Sequence, residues 1–182
     1  MKHFLVILVK VLFIQNVLSK EYVLKVNQTQ ADNPGKKNET VRIAVLGDSI
    51  TEMLGWTTLL AAKLDSLHGS EATEVGNYGL SGATISDSHT KRKYMRYSDS
   101  SLWSAAVHSG ADVFAILLGS CDAKIENWDE NNGRFETDYK SYIEELKLLD
   151  PRPHIYIIAP PPALPCLDRP RNRGQIYPNI IN

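Results

Sequence analysis

A chain of 182 residues is long enough for one domain with a sizeable hydrophobic core. Hydrophobic residues make up 43% of it and charged residues 23%, as in ordinary globular proteins, and the formal net charge is −1. This near-neutral balance, without a basic stripe, argues against a nucleic-acid partner. The one dense basic run, over 91–96, is more typical of a solvated loop than of a binding site.

The first 19 residues have the layout of a secretory signal peptide. A basic start precedes an apolar run over 4–18, and Val17 and Ser19 stand at the −3 and −1 positions of a candidate cleavage site. The run is shorter than the ~20 apolar residues that a membrane-spanning helix needs, and Lys10 interrupts it. We therefore expect a cleaved signal and a secreted protein, rather than a stable membrane span.

A polar segment without hydrophobic periodicity follows the apolar run. We expect residues 20–40 to form a flexible leader, because the stretch "NQTQADNPGKKNET" offers almost nothing to bury. Asn27 and Asn38 each begin an Asn-x-Ser/Thr sequence, so both are candidate glycosylation sites in a secreted chain.

From residue 41 onward, strand patterns and helix patterns alternate. Apolar and β-branched runs predict buried strands over 41–47, 73–80, 112–119 and 154–160. Apolar residues at helical spacing predict helices between these strands, over 55–69, 100–110 and 136–149. The alternation is typical of an α/β fold, a three-layer open parallel sheet with helices on both faces. We expect one such domain over 41–182.

The carboxyl ends of parallel strands meet at one edge of the sheet, where ligands bind in such folds. Small and polar residues follow the predicted strands at this edge, at 47–49, 79–82, 119–122 and 160–162. By the same reasoning the histidines of the regular elements fall at the opposite end: His68, His108 and His154.

Ser49, at the junction of the first strand and its helix, admits two interpretations. Its hydroxyl can face the crevice as a nucleophile, beside free helix N–H groups that favour developing negative charge. It can equally serve only as a helix cap, which is a common role of serine. The segment "AVLGDSITE" alone does not separate them.

Three segments at this edge, "GDSITE", "NYGLSGAT" and "LLGSCDAK", together resemble the conserved blocks of the SGNH, or GDSL, hydrolase family. The resemblance covers 41–182 and implies a flavodoxin-like fold and ester hydrolysis without a cofactor or metal. It implies that Ser49 is the nucleophile and that the backbone of Gly82 helps to form the oxyanion hole. The third block, Gly-x-Asn-Asp in the family, matches Gly119, Cys121 and Asp122, and Asp48 precedes the nucleophile.

The chain departs from the family pattern at two places. Cys121 stands at the asparagine position, and a thiol is a weak hydrogen-bond donor. The family's Asp-x-x-His block, which supplies the acid and base, is not found before Asn182, so we expect the last strand and helix to be lacking. Asp65 to His68 spells Asp-x-x-His but is expected at the wrong end of the sheet, whereas His89 is a hypothetical substitute base.

We therefore expect a serine esterase or lipase-type hydrolase that acts on acyl esters, acetyl esters among them, with impaired or incomplete catalysis. Three explanations stay open: an incomplete product of an active esterase gene, a pseudoenzyme that binds an acylated or carbohydrate ligand, or a base supplied by another residue or chain. The expected partner is a small-molecule or carbohydrate ester. The oligomeric state stays open.

Cys121 and Cys166 follow neighbouring strand ends in the expected fold. Two cysteines in a secreted chain commonly pair, so we consider a disulfide between them.

Overall fold

A computed structural model of the chain describes residues 5–9, 22–26, 40–87 and 94–161. In 5–9, 22–26, 125–126 and 129–132 the description covers the backbone only. The chain divides into two compact units, 1–39 and 40–182.

In the first unit, strand β1 (Leu5–Val9) pairs antiparallel with strand β2 (Tyr22–Val26). Strand β2 lies inside residues 20–40, the segment expected to form a leader, and these five residues have an extended backbone. Their alternating and β-branched pattern, Tyr-Val-Leu-Lys-Val, favours an extended backbone. Asn27 and Asn38 lie outside the described residues.

The second unit contains a parallel sheet of four strands: β3 (Val41–Gly47), β4 (Thr73–Gly79), β7 (Val113–Leu117) and β8 (His154–Ile157). Their order across the sheet is β4-β3-β7-β8. Gly47, the last residue of the central strand β3, lies opposite Gly79 on one side and Leu117 on the other. The predicted α/β fold with a parallel sheet is confirmed. Two short segments, β5 (Ala83–Thr84) and β6 (Met95–Arg96), form a separate parallel pair.

The helices connect the strands as predicted, with one difference in length. They are α1 (Ser49–Met53), α2 (Trp56–His68), α3 (Ser101–Val107) and α4 (Ile125–Lys147), and a 3-10 turn spans Tyr97–Asp99. Helix α4 begins well before the predicted start at residue 136. The sequence Asn-Asn-Gly at 131–133 suggests a turn, but the helix runs through it. In the part of the chain that the structure describes, no helix has both the length and the apolar character needed to cross a membrane.

Packing explains why α4 tolerates Gly133, which costs about 1 kcal/mol relative to alanine in a helix. Phe135, Tyr139, Tyr142 and Leu146 recur at helical spacing and are all buried in one core cluster. This cluster also contains residues of β3, β7 and α3. The hydrophobic face therefore stabilises a helix that the local sequence alone does not favour.

Both faces of the central strands are buried. Leu46 of β3 and Phe114 of β7 belong to the cluster that α3 and α4 cover. Val45 points the other way because side chains alternate along a strand, and it is fully buried too, as is Leu64 of α2. This two-sided burial agrees with the continuous apolar runs in the sequence.

At the carboxyl edge of the sheet, α1 lies directly against the last residue of β4. A Cβ atom added to Gly79 would lie 2.3 Å from the backbone nitrogen of Glu52, far inside van der Waals contact. Only glycine permits this approach, which brings the helix that begins at Ser49 against the loop after β4.

We predict that Gly79→Ala lowers the free energy of unfolding by at least ~1–3 kcal/mol, because backbone atoms of α1 must move to admit the methyl group. The matched control is Gly133→Ala in α4, where an added Cβ meets nothing within 4 Å. That variant should gain about 0.5–1 kcal/mol from the better helix propensity of alanine. Urea denaturation measures both values, and equal effects of the two changes would contradict the proposed close packing.

Candidate active site

The structure assigns the capping role at the first helix to Asp48, not to Ser49. Asp48 is fully buried, and its Oδ1 accepts a hydrogen bond from the Ile50 N–H at 2.9 Å. Ser49 is the next residue, the first of α1, and is half-buried. Its hydroxyl has no hydrogen-bond partner among the described residues. The capping interpretation of Ser49 is therefore wrong, and its hydroxyl is available at the edge of the sheet.

Asp48 also connects the first conserved block to the third. The Ser120 hydroxyl donates a hydrogen bond to Oδ2 of Asp48, and both residues are buried. Because a buried carboxylate without donors is costly, this contact holds the loop after β7 against the start of α1.

Asp122 connects the third block to the second. Its carboxylate accepts a hydrogen bond from the Ile85 N–H, 3.0 Å from each oxygen, and one from the Ser86 N–H at 3.1 Å. Burial raises the pKa of Asp122 to about 7, and the charge of Asp48 acts in the same direction. The backbone N–H donors oppose this shift by stabilising the carboxylate.

The loop after β4 is hydrogen-bonded to the end of β3 and to α1. Its Leu80 N–H donates to the Gly47 carbonyl at 2.9 Å, and its Ser81 N–H donates to Oε2 of Glu52 at 2.7 Å. Gly82 has φ of 81°, a left-handed conformation that favours glycine. A bond from the Ala83 N–H to the Leu80 carbonyl, 3.1 Å long, completes this turn.

Two backbone donors at this edge are unused. Among the described residues, neither the N–H of Ser49 nor that of Gly82 has a hydrogen-bond partner. The first belongs to α1, and the second belongs to the turn that Glu52 and Gly47 hold against α1. Unused N–H groups in this position can stabilise an oxyanion.

Cys121 is a buried, free thiol, only 3% exposed. Burial raises the pKa of Cys121 to about 11 and the charge of Asp48 adds to this, whereas Lys124 lowers it. The thiol is therefore neutral at physiological pH. Cys166 lies outside the described residues, so the disulfide between Cys121 and Cys166 stays a prediction.

Gly119 takes the left-handed conformation, with φ of 112°, at the start of this block. An added Cβ would lie 3.3 Å from the ring of Phe135 in α4. The turn after β7 therefore needs glycine both for its backbone angles and for close packing.

The three described histidines lie at the end of the sheet away from Ser49, as predicted. His68 ends α2, His108 caps α3 at its carboxyl end, and His154 begins β8 opposite Val113, the first residue of β7. The Asp65 to His68 sequence therefore cannot serve Ser49. His89 lies outside the described residues. No group of three or more His, Cys, Asp or Glu side chains within the described ranges is placed to hold a metal ion.

Sequence reasoning missed two side chains of this site, Glu52 and Lys124. Glu52 lies in the first block, but nothing in its spacing indicates that it holds the N–H of Ser81. Lys124 is the last residue of the third block and directly precedes α4, and a lysine before a helix ordinarily lies in solvent. Only the tertiary contacts reveal its position.

A family model described as GDSL-like lipase/acylhydrolase matches residues 43–182. The chain belongs to this family. The match spans the sheet, α1 and all three blocks that the hydrogen bonds of Asp48, Glu52 and Asp122 join. The resemblance inferred from those blocks is confirmed.

Individual proteins also resemble the chain. An acetylxylan esterase of Xylanibacter ruminicola is 29% identical over 118 residues, which cover 63% of this chain and 23% of that protein. The chain thus spans less than a quarter of the length of this relative.

Solved structures agree with the fold. A carbohydrate acetylesterase family member from Sinorhizobium meliloti has a TM-score of 0.55 at 21% identity, covering 69% of this chain and 65% of that one. The inhibitor-bound aryl esterase of M. smegmatis has a TM-score of 0.57 at 19% identity, covering 69% of this chain and 66% of that one.

We predict that Asp122 makes the protein less stable as the pH rises from 4 to 7. The folded-state pKa of about 7 exceeds the ordinary value of 3.8, so the folded protein holds the proton in this interval while the unfolded chain has lost it. Proton binding by Asp122 contributes fully to the free energy of unfolding below about pH 4. This contribution, up to about 4 kcal/mol, is lost as the pH rises through 7.

Urea denaturation between pH 4 and 8 measures this slope. Asp122→Asn cannot titrate, so its free energy of unfolding should vary less steeply over this interval than that of the wild type. Asp99→Asn, at an exposed carboxyl group, serves as the control and should keep the wild-type slope. Parallel curves for wild type and Asp122→Asn would contradict the raised pKa.

Proposed function

We propose that the chain is an esterase-type hydrolase in which Ser49 attacks the acyl carbon of a small-molecule or carbohydrate ester. The proposal depends on the hydroxyl of Ser49, which does not cap α1 because Asp48 does. At the same edge of the sheet are the N–H groups of Ser49 and Gly82, which have no partner among the described residues. Membership of the GDSL-like family supports the reaction type. The names of the acetylxylan and carbohydrate acetylesterase relatives favour acetyl esters of sugars.

The reaction follows from these groups. Oγ of Ser49 forms a bond to the acyl carbon, and the carbonyl oxygen becomes an oxyanion that the two N–H groups stabilise. The carbon–oxygen bond to the alcohol then breaks, and the alcohol leaves with a proton. Water attacks the acyl-serine in turn, which releases the carboxylic acid and restores the hydroxyl.

The attack by Ser49 also requires a base that accepts the hydroxyl proton. A serine hydroxyl without an adjacent base is a poor nucleophile at neutral pH. The described imidazoles, those of His68, His108 and His154, lie at the other end of the sheet. We therefore assign to the described part of the chain the nucleophile and the oxyanion donors only.

A second candidate function is binding of an acylated or carbohydrate ligand without turnover. It is favoured by the neutral thiol of Cys121 at the position where the family has an asparagine amide, because a thiol is a weak donor. The two functions differ in whether Ser49 forms a covalent bond.

We predict that a biotinylated fluorophosphonate modifies Ser49. The oxygen of Ser49 bonds to phosphorus, fluoride leaves, and the hydroxyl proton passes to solvent. Mass spectrometry locates the label, and hydrolysis of p-nitrophenyl acetate gives the turnover rate. In Ser49→Ala both signals should fall to background.

The matched control is Ser101→Ala, because Ser101 is likewise the first residue of a helix that follows a buried cap, Ser100. It should label like the wild type. Ester hydrolysis that survives Ser49→Ala would contradict the esterase assignment. Failure to label, with binding of an acetylated xylo-oligosaccharide that Ser49→Ala retains, would instead favour the non-catalytic function.

We further propose that the chain is secreted and that residues 1–19 are removed. The apolar run over 4–18 and the two glycosylation sequences, at Asn27 and Asn38, support this. Expression in a eukaryotic secretory host should yield a protein that begins at Lys20, carrying glycans that an endoglycosidase removes. A product in the medium that still begins at Met1 would contradict signal cleavage.

A further inference from the structure

The side chain of Lys124 is fixed near Cys121 by three contacts. Its Nζ donates a hydrogen bond to the Tyr94 hydroxyl at 2.8 Å and lies 4.4 Å from the centre of the same ring. It also lies 3.9 Å from Sγ of Cys121. A hydrogen bond and a cation–π contact from one aromatic residue restrict an otherwise flexible lysine.

These contacts place the ammonium group between two loops of the candidate active site. Cys121 belongs to the loop after β7. Tyr94 directly precedes Met95, whose N–H donates to the carbonyl of Gly82 at 3.2 Å. The cation is therefore connected on one side to the loop of Gly82 and on the other to the thiol.

Within the described ranges, the charge of Lys124 has no carboxylate partner. Among the described residues, no Asp or Glu lies within ion-pair distance of its Nζ, although the residue is half-buried. The carboxylates that act on the Cys121 thiol, those of Asp48 and Asp122, accept hydrogen bonds from Ser120 and from the backbone of Ile85 and Ser86. An ammonium group has three donors, so one remains after Tyr94 and Cys121. A partly desolvated cation with a spare donor suits a negative charge that arrives with the substrate.

We propose that Lys124 is a catalytic residue whose ammonium group stabilises the oxyanion formed when Ser49 attacks the ester. The inference rests on the proposed esterase function and extends it. Lys124 is then the third oxyanion donor, in addition to the N–H groups of Ser49 and Gly82. A third donor other than Cys121 is needed because a thiol donates only weakly. Tyr94 acts as a positioning residue that holds the ammonium group in place.

The test uses the full chain and the fluorophosphonate probe, because its attack by Ser49 also develops negative charge on an oxygen. We expect Lys124→Met to lower the maximal labelling rate at least 10-fold while the probe concentration at half-maximal rate changes less than twofold. Lys124→Arg retains a cation and should recover most of the rate. Lys140→Met is the matched control, since Lys140 is an exposed lysine of α4 paired with Glu136, and it should label like the wild type.

The outcomes separate this inference from the proposed function. If Ser49 is labelled in the wild type and Lys124→Met labels within twofold of it, the role of Lys124 is overturned and the esterase function stands. If the wild type is not labelled at Ser49, both are overturned. If Lys124→Met also lowers the melting temperature, Tyr94→Phe decides: it keeps the aromatic ring but removes the hydroxyl, and a rate reduced severalfold supports the role of the ammonium group, whereas an unchanged rate overturns it.

Discussion

The carboxylate of Asp122 holds the backbone of the loop after β4, and the candidate active site depends on this contact. Two consecutive N–H groups, of Ile85 and Ser86, donate to it inside the protein. Without an acceptor these buried donors would each cost free energy, so the loop is held where the carboxylate is. Gly82, which supplies an unused N–H, lies in the turn that leads into this segment.

Two other acidic side chains around the site also accept hydrogen bonds that hold loops in place. Asp48 caps α1 and accepts from Ser120, and Glu52 accepts from Ser81. Three acidic side chains thus join the three loops in pairs: the first with the third, the first with the second, and the second with the third. The burial of Asp48 and Asp122 is tolerated because donors surround their oxygens. The acidic residues position the site, and Ser49 and the free N–H groups are left for the substrate.

The third block departs from the family pattern at Cys121. Where the family has a neutral amide, this chain has a neutral thiol, kept protonated by its burial. Nζ of Lys124 lies 3.9 Å from Sγ of Cys121 and over the ring of Tyr94. The substitution at Cys121 and the position of Lys124 can therefore be understood together.

The sequence by itself determined the alternation of the four strands of the parallel sheet with helices, and the edge of the sheet at which the residues of the three blocks gather. This was possible because apolar periodicity and glycine positions are local signals, and because parallel strands bring their carboxyl ends to one side. It also determined that His68, His108 and His154 lie at the other end.

Only the tertiary structure decided which of two adjacent residues, Asp48 or Ser49, caps α1, and that α4 continues through Gly133. It alone showed that the Cys121 thiol is buried and that Nζ of Lys124 lies over the ring of Tyr94. Each of these depends on contacts between residues far apart along the chain, such as Asp48 with Ser120 or Phe135 with the strands. Propensities of neighbouring residues carry no information about such contacts, because the free energy that selects them comes from burial and hydrogen bonding in the assembled fold.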